Sequence, residues 1–151
     1  MAEIYNFYKV SDMLACSGQP TEAQLKQLAA EQYQAVINLA PHDNKFALPD
    51  ETGSVKALGM KYFNIPVAFD NPQLNELIDF IELMNQCSGH KKLVHCAANY
   101  RASAFTALYL FKAAQLDETE MQLFIEEVWQ PDGVWQQFID ESLEYLKGDE
   151  R

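Results

Sequence analysis

Lys92-Leu93-Val94-His95-Cys96-Ala97-Ala98-Asn99-Tyr100-Arg101-Ala102-Ser103 is the stretch on which the reading of this chain turns. Leu93-Val94-His95 is a short apolar run that predicts a buried strand. Residues 102 to 114, rich in alanine, leucine and aromatic side chains, predict a helix. Between them a cysteine leaves the strand, and an arginine follows after four intervening residues. In open α/β sheets, ligands bind at the carboxyl ends of strands. A tight loop that runs into a helix turns backbone N–H groups toward one point, which suits an anion. Arg101 supplies a planar fork matched to phosphate oxygens. The helix dipole and Arg101 together favour the reactive thiolate at Cys96. Asn99 falls where such a loop calls for positive φ, a conformation asparagine tolerates best after glycine. The pattern predicts a nucleophile acting on an anion, with Ala97, Ala98, Asn99, Tyr100, Ala102 and Ser103 around the bound group. Taken singly, Cys96 reads as a buried strand-end cysteine and Arg101 as an exposed first-turn residue. The strand, the His-Cys pair, the loop length and the helix together reverse that reading.

Outward from this stretch, strands and helices alternate. Met13 to Ser17 predicts a strand, Ser17-Gly18-Gln19-Pro20 a turn, and Thr21 with Gln24 a capping box. Leu25, Leu28 and Ala29 form the apolar stripe of the helix that follows. Ala35 to Leu39 reads as a buried strand, residues 41 to 49 as a polar loop, and residues 50 to 58 as a short helix closed by Gly59. Tyr62 to Val67 predicts a further strand, and Asn71-Pro72 a helix start whose apolar positions are Leu74, Leu77, Ile78 and Ile81. Asp117 and Glu120 form another capping box. After Gly133 a last helix carries Trp135, Phe138, Ile139, Ser142, Leu143 and Leu146 on one face. The alternation predicts a three-layer α/β sandwich with a mainly parallel sheet of four or five strands and helices on both faces.

The chain has 151 residues, a size that predicts a single domain over residues 1–151. With 22 acidic and 11 basic side chains, its formal charge of -11 argues against nucleic acid and anionic membrane as partners. Eleven of the carboxylates lie between Asp117 and Arg151, as expected of a solvated helical surface. No apolar run is long enough to span a membrane, and the N-terminus lacks the pattern of an export signal, so a cytoplasmic location is expected. Three cysteines (Cys16, Cys87 and Cys96) form neither a disulfide framework nor a metal-ligand spacing.

The chain resembles the cysteine phosphatase superfamily of protein tyrosine and dual-specificity phosphatases, whose signature is His-Cys, five residues, Arg, then Ser or Thr. It looks most like the small bacterial phosphatase-like family related to the domain called beta-lactamase hydrolase-like, where the loop is Cys, four residues, Arg. That family carries an early Ser/Gly-Gln-Pro turn (here Ser17-Gly18-Gln19-Pro20) and a Val-Ile-Asn-Leu strand (here Val36 to Leu39). A Tyr-x-x-Ile-Pro-Val strand follows (here Tyr62 to Val67). The resemblance runs from about Ser17 to Ala114. It implies a phosphatase-like fold and hydrolysis of phosphomonoesters or phosphoproteins through a cysteinyl-phosphate, with no metal or other cofactor. Cys96 would be the nucleophile, Arg101 the phosphate ligand and His95 a supporting group. Asp70, on the loop after the Tyr62 strand, would be the general acid; its structural alternative is a helix-start aspartate. Asp43 is the second candidate for that role. A protective disulfide between Cys87 and Cys96 is also within the superfamily's range.

The sequence departs from the family at two positions. Asn99 stands where glycine is usual, and Ala102 where a serine normally assists thiolate departure. Ser103 lies at the count used by the longer standard loop. Two other readings therefore stay open: a rhodanese-like sulfurtransferase, whose active loop is often Cys, four residues, Arg, and a phosphate- or phosphoprotein-binding module that has lost turnover.

Overall fold

The computed structural model describes residues 4–148; residues 1–3, and residues 149–151 of the acidic tail, lie outside it. Its sheet has five strands: β1 (Tyr8–Ser11), β2 (Leu14–Ser17), β3 (Ala35–Asn38), β4 (Lys61–Asn64) and β5 (Lys92–His95). Six helices accompany them: α1 (Glu22–Ala30), α2 (Glu51–Ala57), α3 (Leu74–Gln86), α4 (Tyr100–Lys112), α5 (Glu118–Val128) and α6 (Gly133–Gly148). The strand order is β1-β2-β5-β3-β4, with β1 antiparallel and the rest parallel. The strand that carries Cys96 at its exit is thus the central one.

Every residue of β2, β3 and β5 is buried, as interior parallel strands require. Their period-two alternation divides the core into two layers. Cys16, Ile37 and Val94 face α3 to α6 and pack with Phe80, Phe105, Leu108 and Trp135. Ala15, Val36 and Leu93 face α1 and α2, where Leu25, Leu28 and Val55 cover them. Helix α4 runs through the thicker layer with nine buried residues, so truncating Leu108 to alanine there removes about 2–5 kcal/mol.

Local signals explain most boundaries. The Thr21–Gln24 and Asp117–Glu120 capping boxes form as read, and Gly59 adopts φ +82° beyond α2. All six apolar-face residues named for the last helix are buried. Four expectations need correction. Tyr8–Ser11 forms an edge strand that the sequence pattern did not announce. Helix α3 starts at Leu74 rather than at Asn71-Pro72, because the Asn71 Oδ1 is taken by Gln73 Nε2 while Glu76 reaches back to the Gln73 amide. Its buried face is then Leu77, Phe80 and Met84, with Leu74, Ile78 and Ile81 only partly covered. Strand β4 ends at Asn64, before Pro66, which has no N–H to give a ladder. Helix α4 begins at Tyr100, two residues early, because Asn99 completes the turn in the left-handed region.

Candidate functional site

Ser17, His95, Asn38 and Asn64 lie in register across the carboxyl edge of the four parallel strands. Each is the last residue of its strand, so four exits converge on one side of the sheet. Asn38 shapes the exit of β3: its Oδ1 accepts from the Ala40 amide at 2.9 Å, and Asn64 Nδ2 donates to the Asn38 and Ala40 carbonyls. The Leu39 amide bonds His95 O and the Val67 amide bonds Leu39 O, which sets Val67 beside the start of the Cys96 loop.

The Cys96 loop is clamped from outside. The Gln19 amide donates to Ala97 O at 3.0 Å, the Cys96 amide to Ser17 O at 3.3 Å, and Asn6 Nδ2 to Ala98 O at 3.0 Å. Asn99 holds φ +74° and returns a bond from its Nδ2 to Asn6 O. Gly18 is required where it stands: a Cβ there would lie 2.6 Å from Ala97 O and 2.8 Å from Tyr5 Cδ2. In a planar trans peptide the carbonyl and the next N–H point opposite ways. With Ala97 O committed to Gln19, the Ala98 N–H is turned to the other side of the loop.

A cavity of about 190 Å³ opens against this loop, lined by Phe69, Cys96, Ala97, Ala98, Tyr100 and Arg101. Arg101 is 8% exposed. One guanidinium nitrogen, Nη1, donates to Val67 O at 2.8 Å, and the guanidinium lies over the Phe69 ring at 5.7 Å. Its Nε is buried with no partner in the protein. A buried donor left unpaired costs about 1–3 kcal/mol, which an oxyanion at that point recovers. Phe69 is held by its neighbours. Trp135 Nε1 donates to Phe69 O at 2.7 Å, and Trp129 stacks on Tyr100 with centroids 4.6 Å apart.

Beneath the loop lies a buried pair of His95 and Glu51. His95 Nε2 is 2.5 Å from Glu51 Oε2, and His95 Nδ1 is 3.1 Å from the Cys96 carbonyl oxygen. Both ring nitrogens therefore face oxygen atoms that hold the ring in place. Gln19 Nε2 donates to the other Glu51 oxygen at 3.0 Å. Burial pushes the Glu51 carboxyl up, but the His95 hydrogen bond and charge and the Gln19 bond outweigh it and hold the group below its ordinary value. The Glu51 carboxylate thus fixes the ring of the residue that precedes Cys96.

No family model matches the sequence, and no curated protein matches it. Among solved structures, a candidate phosphatase (DUF442) from Shewanella putrefaciens CN-32 is 34% identical over 95% of both chains, with a TM-score of 0.87. The chain belongs to the DUF442 family. Two more distant structures share the fold. The core catalytic domain of the PP-IP phosphatase SIW14 from S. cerevisiae, in complex with citrate, is 18% identical, covering 91% of this chain and 85% of its own at a TM-score of 0.76. PTPMT1 in complex with PI(5)P is 15% identical, covering 96% and 99% at 0.79.

In this DUF442 protein the sequence-predicted residues fall in three groups. Cys96, Ala97, Ala98, Tyr100 and Arg101 line one cavity, with His95 and Asn99 buried behind it. Ala102 and Ser103 are buried in the first turns of α4, where the Ser103 hydroxyl donates to Tyr100 O at 3.1 Å. Asp70 is exposed next to Phe69, facing a neighbouring cleft with Gln137 and Glu141 of α6. Asp43 is exposed in the loop of residues 41–49. All three cysteines are free. Cys87 caps α3 near the start of β5, whereas Cys96 follows its end, so the two sit at opposite edges of the sheet. Cys16 is buried, and burial pushes its thiol up to about 12 against the opposing Asn99 side chain. Glu51, Gln19 and Phe69 were not marked as site side chains by the sequence; only the Gln19-Pro20 turn hinted at one of them. Among the described residues, no three His, Cys, Asp or Glu side chains group as a metal site would need, and no helix is long and apolar enough to cross a membrane.

Proposed function

We propose that this protein hydrolyses phosphomonoesters through a phosphocysteine. The observation that carries the reading is the shared cavity of Cys96 and Arg101 at the carboxyl edge of the central strand. The Cys96 thiolate attacks phosphorus; a P–S bond forms as the P–O bond to the leaving group breaks. Asp70 gives its proton to the departing oxygen. As a carboxylate it then takes a proton from water, whose oxygen attacks phosphorus, releasing phosphate and returning the thiolate. Arg101 and the loop amides balance the charge of the phosphoryl oxygens in both steps. A phosphate-bearing ligand is also what two solved relatives hold: PTPMT1 with PI(5)P, and TpbA from P. aeruginosa with pTyr.

Slow turnover follows from Ala102 and from the Ser103 hydroxyl being spent on the Tyr100 carbonyl, which leaves the departing thiolate less assisted. The same observation favours a second reading, a phosphate-binding module without turnover. The test is release of p-nitrophenol from its phosphate ester by the wild type and by Cys96→Ser, with phosphate binding followed by calorimetry. Weak hydrolysis lost in Cys96→Ser, with phosphate binding retained, is the expected result. Binding without hydrolysis in the wild type supports the module. Thiosulfate-to-cyanide sulfur transfer without phosphate release makes the chain a sulfurtransferase.

A further inference from the structure

A second hollow, of about 440 Å³, lies on the other side of the Cys96 loop. Tyr5, Pro20, Phe46 and Leu48 line it, together with Gln19 and the Ala97-Ala98 segment. That segment also walls the Cys96 cavity, so the two hollows flank one short stretch of chain. Their chemistry differs. The Cys96 cavity offers a thiol and a guanidinium. The other is apolar, and its two rings are turned to solvent: Tyr5 is 62% exposed and Phe46 56%. Exposed aromatic surface grouped beside a polar site marks a place where something apolar is held.

Two further observations narrow the occupant. Arg101 is the one charged side chain among the residues that line either hollow, in a chain of net charge -11. Lys45 lies over the Phe46 ring, its Nζ 5.1 Å from the centre, and does not line the groove. A phosphate engages Arg101; a second anionic group would meet an apolar wall and the field of an acidic protein. Gln19 Oε1 is a buried acceptor without a partner. Its amide is fixed in orientation, because Nε2 donates to Glu51 Oε1 and to Pro20 O. It is free to accept one O–H or N–H.

We propose that this groove receives the organic part of the substrate, and that the substrate is the monophosphate of a bulky apolar alcohol with no second anionic group. The proposal rests on the phosphatase reading for its phosphate half. An apolar body laid across Ala97-Ala98 onto Phe46, Leu48 and Tyr5 removes their exposed area from water. A ligand carrying several phosphates would gain nothing there.

The test compares kcat/KM for 4-biphenylyl, n-decyl and phenyl phosphates and for an inositol bisphosphate, in the wild type and in Phe46→Ala/Leu48→Ala. A gain on the order of tenfold is expected for at least one of the two extended esters over phenyl phosphate, and the ratio should fall toward unity in the double variant. A binding measurement separates the groove from the chemistry: Cys96→Ser is titrated with biphenylyl-, decyl- and methylphosphonate in a calorimeter. If no ester is hydrolysed by the wild type, the phosphatase reading fails, and the calorimetry still decides the groove. Binding of the extended phosphonates at least about tenfold tighter than methylphosphonate, lost in the double variant, supports the proposal. Equal binding of all three, or preference for the inositol bisphosphate, overturns it.

Discussion

Replacing Glu51 by glutamine tests the buried pair that Glu51 forms with His95 beneath the Cys96 loop. In the wild type one carboxylate is held by two partners, His95 Nε2 and the part-buried Gln19 Nε2. Glutamine offers one acceptor and one donor, so one of the two partners then faces an N–H. Breaking a buried pair by removing one partner costs about 3–5 kcal/mol, and the retained acceptor puts this change near the lower end. For a domain of this size each kcal/mol lowers Tm by roughly 2–4 °C, so Glu51→Gln should melt about 6–12 °C below wild type at pH 7. The pH dependence has a definite sign. Because the folded Glu51 carboxyl is held below its ordinary value of 4.5, its contribution is complete above that value and fades as pH falls through the lower folded value. The gap between the two melting curves should therefore be widest at neutral pH and close in acid. Scanning calorimetry across pH 3 to 7 reads both quantities. A gap of less than about 1 °C at pH 7, or one that widens in acid, would refute the stabilising pair of Glu51 and His95.

Gly18→Ala places a methyl group 2.6 Å from the Ala97 carbonyl oxygen; the loop must shift, and p-nitrophenyl phosphate hydrolysis should drop about 100-fold while the fold persists by circular dichroism. Asp70→Asn should slow alkyl phosphates by about 100-fold and p-nitrophenyl phosphate much less, because only the alkoxide needs a proton on leaving; equal slowing would remove Asp70 from that role. Ala102→Ser should raise steady-state turnover several-fold and shrink the burst of p-nitrophenol that precedes it, provided breakdown of the phosphocysteine limits the rate. An unchanged rate and burst would show that a hydroxyl at 102 does not serve the departing thiolate.

The central strand, its flanking layers and the Cys96 loop were legible because each had a local cause. A buried parallel strand must be apolar throughout, a helix must be capped, and a loop that turns at Asn99 needs a residue that accepts positive φ. Tyr8–Ser11 escaped notice because only Tyr8 and Val10 of its four residues face the core, and neither is fully buried. Asn71-Pro72 carried a valid start signal, but Gln73 and Glu76 offered a second one two residues later, and tertiary packing chose it. Glu51 could not be read as a site residue. It is forty-four positions from His95, and a glutamate in the first turn of a helix is ordinarily solvated. Phe69 was equally silent, since its place over Arg101 depends on how Trp135 anchors the chain around it.

The bonds from Tyr5 and Asn6 to the site give the amino-terminal end of the chain a practical weight. The Tyr5 carbonyl takes the Gly18 amide, and Asn6 exchanges side-chain and backbone bonds with Ala98 and Asn99. Removing residues 4 to 6 therefore cuts the tether of the Cys96 loop, whereas shortening α6 from Gly148 leaves that tether untouched, so the two truncations should differ in how well the loop keeps its shape.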